Sequence, residues 1–453
     1  MTEIPAPTLL RATGTTYFPI ALVARLPYAM MVVGVLTLVV DGRGSLALGG
    51  LNSALVGVGA ACVGPLLGAA ADRFGQRPVL LVSGAASSAA LGLMAWVVHS
   101  SLPDAAVLVV AFAVGATAPQ VAPMSRSRLV QLIGARIAPE RRERTVEGTM
   151  AYESAADETV FIVGPVLVGV LATLVDPWAA VVGAGLVTLV FVTAFALHPT
   201  AAVGSGARTE ATVVDPARHL LRPSLVVVVV GIFGVGLFFG ATLTSLTALM
   251  DDDGHAESAG LLYGVMGIGS AVLALAVALF PATFTLAARW LVFAGVLAGG
   301  AALLPLASST LAVGAVLLVL GVGIGPTLVT QYSLGAQRSP AGRSSTVMTM
   351  LGSAVIVGQS AASALTGAVA QEWGTTPALV VPLLAALVVL GAGVANRALS
   401  RSVPGATGES APLEQHALAV VAGEGDRLLE GSRGLGVAAV AVQQIAADAG
   451  RHR

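Results

Sequence analysis

Apolar residues run along this chain in long unbroken stretches, not in the short amphipathic periods of a water-facing fold. A helix needs roughly 20 mostly apolar residues to cross a bilayer. Twelve stretches meet that length: 15–40, 46–71, 78–100, 104–124, 147–172, 177–197, 223–249, 257–280, 288–307, 310–335, 345–370 and 377–396. None alternates as a barrel strand does, and an open sheet cannot satisfy its edges in lipid, so all twelve are read as helices. The predicted fold class is an all-α membrane protein. Residues 125–146 and 198–222 are read as the two longer connections. The second, small, polar and Gly/Ala-rich, acts as a linker.

The chain therefore divides into a segment 1–14, a six-helix bundle 15–197, the linker 198–222, a second six-helix bundle 223–396 and a tail 397–453, within which 426–448 is read as a short amphipathic helix. Residues 1–14 are short and weakly charged, so no cleaved signal is expected. The halves repeat weakly. Residues 49–60 resemble 259–270, and 150–158 align with 348–356, as duplicated bundles would.

Composition sharpens the class. Of 453 residues 56% are hydrophobic and 10% charged, against about 25% charged in soluble domains. That excludes a soluble enzyme and a disordered chain. The single cysteine, Cys62, excludes an intrachain disulfide, and a net charge of −1 gives no case for a nucleic-acid partner. All 23 basic residues are arginine, and placing both termini in the cytoplasm puts all but Arg25 and Arg43 in cytoplasmic loops, tails or the cytoplasmic ends of the stretches. The expectation is a multi-pass protein of the cell's inner membrane, monomeric in the bilayer.

Between the second and third stretches the chain reads G-A-A-A-D-R-F-G-Q-R-P. Gly68, Asp72, Arg73, Gly75 and Arg77 match the loop signature of the major facilitator superfamily, with Pro78 at its last basic place. In the fifth stretch Gly164, Pro165 and Gly169 resemble the core of the antiporter signature of its drug:proton antiporters, with Val160 and Val168 at two of its glycines. The resemblance implies two pseudo-symmetric six-helix bundles around a central cavity, Asp72 as part of a gate, and a bend at Gly164–Pro165 (a plain kink is the other reading). It would also place an arginine in the fourth stretch, where Ala111 stands. At an offset of 210, Ala282, Thr283, Thr285 and Ala287 lie over Asp72, Arg73, Gly75 and Arg77, so the second half lacks the gate signature.

A charge at the bilayer centre costs at least ~2.5–3.5 kcal/mol, so each one asks for a role. Arg25 lies about ten residues into the first stretch, and Asp157 and Glu158 lie as deep in the fifth, with Glu153 one turn earlier. Arg25 is expected to pair with Asp157 or Glu158. Protonation of a carboxylate would then break the pair and couple to rocking of the halves; a static packing bridge is the alternative. The second half holds no such carboxylate. Its candidates for substrate contact are Gln331, Tyr332 and Gln359, with bonds between helices as the other use of the amides.

No Walker loop is present, and G-L-G-V-A-A at 434–439 lacks a βαβ context, so no cofactor is expected. Asp251, Asp252, Asp253, His255 and Glu257 are read as a solvated loop and not as a metal site, and His198 as interfacial. The expected function is not enzymatic. It is proton-coupled efflux of hydrophobic or amphipathic small molecules by alternating access. A proton-coupled nutrient importer and a transport-inactive sensor or scaffold are the alternatives.

Overall fold

The computed structural model describes residues 8–202, 215–252, 259–281 and 283–401, and every regular element among them is helical. Twelve spans form, here numbered in chain order: Tyr17–Arg43, Leu48–Phe74, Gln76–Val98, Asp104–Arg136, Pro139–Leu174, Pro177–Leu197, Pro223–Asp252, Ala259–Leu279, Leu286–Leu306, Thr310–Gln337, Ser344–Trp373 and Thr375–Ser400. Large apolar side chains such as Leu66, Val82, Leu261 and Leu311 stay exposed along them. Water would reject such a surface; lipid accepts it.

Span 1 is two helices, Tyr17–Val23 and Leu26–Arg43, with Arg25 at the junction. Pro27 explains the break, since proline has no N–H to donate and its ring crowds the carbonyl four residues back. Span 4 is likewise divided, into Asp104–Thr117 and Val121–Arg136, around Ala118–Pro119–Gln120. The first junction carries one of the buried charges described below, and the second lies one to two turns before another, Arg126.

One expectation fails here. Residues 125–146 are not a loop: they are the end of span 4 and the start of span 5, joined at Ile137–Ala138. Their arginines lower the mean hydropathy, yet Val121, Met124, Leu129, Leu132 and Ile133 keep a helical period and are buried. Of the linker 198–222, residues 199–202 and 217–221 form short 3₁₀ turns, while 203–214 lie outside the described residues. The backbone N–H of Asp215 in this linker donates to the Ala341 carbonyl, before span 11, and the Ala341 N–H donates to the Asp215 carboxylate. The tail beyond 401 lies outside the described residues, as do Asp253, His255 and Glu257; Asp252 closes span 7 and accepts a hydrogen bond from Thr375 at 2.5 Å.

Small residues set the helix spacing in both halves. Gly164 lets span 5 approach span 1, where an added Cβ would lie 2.6 Å from that of Ala29, and Gly358 brings span 11 against Phe233 and Leu237 of span 7 in the same way. Across the halves, span 2 lies along span 11, and span 5 along spans 8 and 10. The hydrophobic core of the second half takes in Met150 and Ala151 from span 5. The halves are thus packed together at the end where span 1 begins, called the terminal face below.

Candidate functional site

Charged side chains meet in the first half. Arg25 lies 2.5 Å from Glu153 and 3.0 Å from Asp157, and Arg126 lies 2.6 Å from the other oxygen of Asp157. Arg25 and Glu153 are fully enclosed, with 4% and 0% exposure. Ser125 donates to the second oxygen of Glu153, and the Tyr17 hydroxyl shares a hydrogen bond with Ser125. Two guanidiniums therefore balance two carboxylates. Arg25 and both carboxylates are each bonded by more than one partner, while Arg126 pairs with Asp157 and lies over the Tyr332 ring, the kind of pairing under which buried ions are tolerated.

Glu158 stands apart from this network, contrary to one of the two pairings expected. The reason is helical geometry. Glu153 and Asp157 are four residues apart and share a face of span 5, whereas Glu158 is turned about 100° away. It points to the other half, where the Ser270 hydroxyl of span 8 donates to it. Its remaining oxygen is buried without a hydrogen-bond partner among the described residues.

At the terminal face Asp72 reaches across the halves. Its carboxylate accepts from the backbone N–H of Ser345 at 2.9 Å, the N–H of Thr346 at 2.7 Å and the Thr346 hydroxyl at 2.6 Å. Span 11 has no side-chain cap from its own flank, so Asp72 supplies one from the opposite half. Gly68, one turn earlier, makes room: a side chain there would strike Thr349 and the Ser345 carbonyl. Gly75 joins spans 2 and 3 in a single residue at φ +91°, a conformation that favours glycine. Arg73 stacks on Phe74 at 5.3 Å, and Arg73 and Arg77 are exposed, outside the contact itself. Gln76 adds to it, donating to Ser127 at 2.7 Å, and Ser127 shares a 3.0 Å hydrogen bond with Ser345.

A sequence profile of the Major Facilitator Superfamily matches residues 17–362. The chain belongs to this superfamily. Among solved structures, that of the human organic anion transporter TETRAN is 19% identical, with a TM-score of 0.65, and the match covers 85% of this chain and 100% of that one. A bacterial homologue of the iron transporter ferroportin, in an outward-facing state, is 16% identical, with a TM-score of 0.63 and coverage of 85% and 99%. The proton:xylose symporter XylE, bound to a bromodeoxyglucose, is 13% identical, with a TM-score of 0.59 and coverage of 86% and 96%. At these identities the likeness is one of fold. No curated protein sequence matches the chain.

Within this superfamily fold, the three candidates for substrate contact do not converge. Tyr332 lies under Arg126, 4.0 Å from guanidinium carbon to ring centre, and so serves the ionic network from the opposite half. Gln331 is fully buried beside Gly231, which the Trp290 ring also covers, and neither of its amide atoms has a hydrogen-bond partner among the described residues. Gln359 is half-buried on span 11, its backbone against Gly240. On span 5, Pro165 stays inside a continuous helix, Gly164 makes the contact with Ala29, and among the described residues nothing lies close to Gly169.

The residues missed from sequence alone cluster in four consecutive positions of span 4. Ser125 and Arg126 serve the ionic network, and Ser127 the contact under Asp72. Arg128 donates to Gln76 at 2.9 Å and to the Phe195 carbonyl at 2.9 Å, and covers the Phe195 ring at 4.0 Å. Span 4 does supply an arginine, Arg126, but fifteen residues beyond Ala111. The signal available was the helical period of the buried apolar residues between the arginines. His198 is buried at 9% exposure: its Nδ1 accepts from the Thr200 N–H, which leaves Nε2–H to donate to Thr16 at 3.2 Å.

Proposed function

We propose that this chain is a proton-coupled secondary transporter that exports hydrophobic or amphipathic small molecules by alternating access. The observation that carries the coupling is Glu158. Arg25 and Arg126 are matched by Glu153 and Asp157, so Glu158 is a third, unmatched carboxylate within the spans, and a proton is the simplest group to neutralise it. Its bond to Ser270 runs between the halves. A hydroxyl donates more strongly to a carboxylate than to a neutral acid, so protonation loosens that bond as it removes the charge. One proton thus changes both the charge of the first half and its grip on the second.

The arginine bias makes the terminal face cytoplasmic, with both termini on that side. The form described here is then shut toward the cytoplasm by the Asp72 contact. Export is favoured by the second half, whose span interiors present no carboxylate among the described residues and suit a largely apolar cargo. Import of a polar nutrient would ask that half for more amides and aromatics, and Gln331 is turned into its core.

The test uses the purified protein in liposomes with an entrapped pH dye, an imposed pH gradient and a panel of lipophilic cations, neutral drugs and sugars. Proton movement opposite to the drug is expected. Glu158→Gln should slow drug-driven proton flux about tenfold or more while drug exchange at equal pH persists. Full proton coupling in Glu158→Gln would overturn the role of Glu158, and proton movement alongside a sugar would replace export by import.

A further inference from the structure

We propose that Glu147 and Arg289 form a second latch between the halves, an ion-pair counterpart of the Asp72 contact that holds the terminal face shut. The proposal deepens the alternating-access reading and rests on it. Alignment of the halves leaves the junction of spans 8 and 9 without an acid, Ala282 standing over Asp72. The fold provides closure there by other means. Arg289, in the first turn of span 9, lies 2.8 Å from Glu147, two turns into span 5 of the opposite half. Its exposure is 2%, and its guanidinium is seated against the Phe280 and Phe284 rings at 5.6 and 5.9 Å.

Three consequences make this a latch and not a fixed brace. Glu147 is the only carboxylate paired with Arg289 among the described residues, so Arg289 can stay buried only while span 5 lies against span 9. A cavity of about 320 Å³ adjoins the pair, lined also by Arg338 and Asn396, and gives water a route to both charges when the halves part. Finally, Asp72 joins spans 2 and 11 while Glu147 and Arg289 join spans 5 and 9. One contact alone would serve as a pivot, whereas two at different places on a face prevent rotation about either.

The test needs no transport. In full-length protein in nanodiscs carrying Cys62→Ala, spin labels go on Glu140→Cys and Thr283→Cys, exposed positions on the terminal face, one in each half. The separation between labels reports opening of that face. Glu147→Gln and Arg289→Met should each raise the long-distance population about fivefold, and the double variant by less than the product of the two, since it leaves no lone charge behind. If Arg289→Met does not fold, Arg289→Lys takes its place, with a smaller shift expected. Unchanged distances in the single variants, or a double variant equal to their product, would overturn the latch. A wild-type protein that moves no protons yet shows these shifts would remove the transporter reading and leave the latch standing.

Discussion

At the level of single residues, the buried charges differ in what holds them, and that difference sets what each can do. Glu153 is held by Arg25 and Ser125 and Asp157 by two guanidiniums, whereas Glu158 has one hydroxyl and an oxygen with no hydrogen-bond partner among the described residues. Outside the spans, His198 offers a pH dependence whose sign follows from its surroundings. Burial, then the positive charge of Arg128, holds its pKa below the ordinary histidine value. In the unfolded chain the imidazole gains its proton near pH 6.5, before the folded one does. Protonation therefore favours unfolding: the contribution of His198 is complete above about pH 6.5 and is lost as the pH falls toward its depressed folded value. The proton would also block Nδ1 from accepting the Thr200 N–H. Thermal melts in detergent between pH 7.5 and 5 should show a smaller acid loss in His198→Gln than in the unaltered protein; equal losses would show that His198 is not the group responsible.

At the level of the helices, length and apolarity sufficed to find all twelve spans, because a bilayer imposes both on any helix that crosses it. What escaped was the polar part of spans 4 and 5. Arginine in a sequence reads as a loop marker, and nothing local distinguishes Arg136, which is exposed, from Arg126, which is sealed against Asp157 and Tyr332. The partners that make burial possible are remote in the chain, so only the assembled fold reveals them. The choice of Glu153 over Glu158 as the partner of Arg25 was closer to legible, since four-residue spacing already puts Glu153 and Asp157 on one face. The fit of span 1 to span 5 depends on Gly164. Gly164→Val should force the two apart beside the ionic network and lower stability by about 1–3 kcal/mol, as overpacking commonly does. A chemical melt would measure it, and a neutral result would show that span 1 gives way easily.

For the molecule as a whole, the two contacts at the terminal face differ in kind. Asp72 caps a helix and needs no cation, while Glu147 and Arg289 depend on opposite charge. They share no partner, and independent sites add in free energy. Asp72→Asn should therefore increase the open-face population in the spin-label measurement, and combined with Glu147→Gln the increases should multiply. A combined effect no larger than that of either variant would mean that the two contacts act as one. The signature around Asp72 was legible because its residues are contiguous. The Glu147–Arg289 pair was not, being assembled from helices that begin far apart in the chain.

The ionic network also bears on how the chain is made. Arg25 and Glu153 are separated by 128 positions. While spans 2, 3 and 4 are being synthesised, the acids that neutralise Arg25 do not yet exist. A lone arginine near the middle of a nascent span costs about 2.5–3.5 kcal/mol on insertion, so the first span should enter the bilayer weakly by itself. It would have to wait at the insertion machinery, or near the membrane surface, until span 5 emerges. Assembly of the first half is then a committed step taken by spans 1 to 5 together, and truncation before Glu153 should yield a protein that is degraded and not merely shorter.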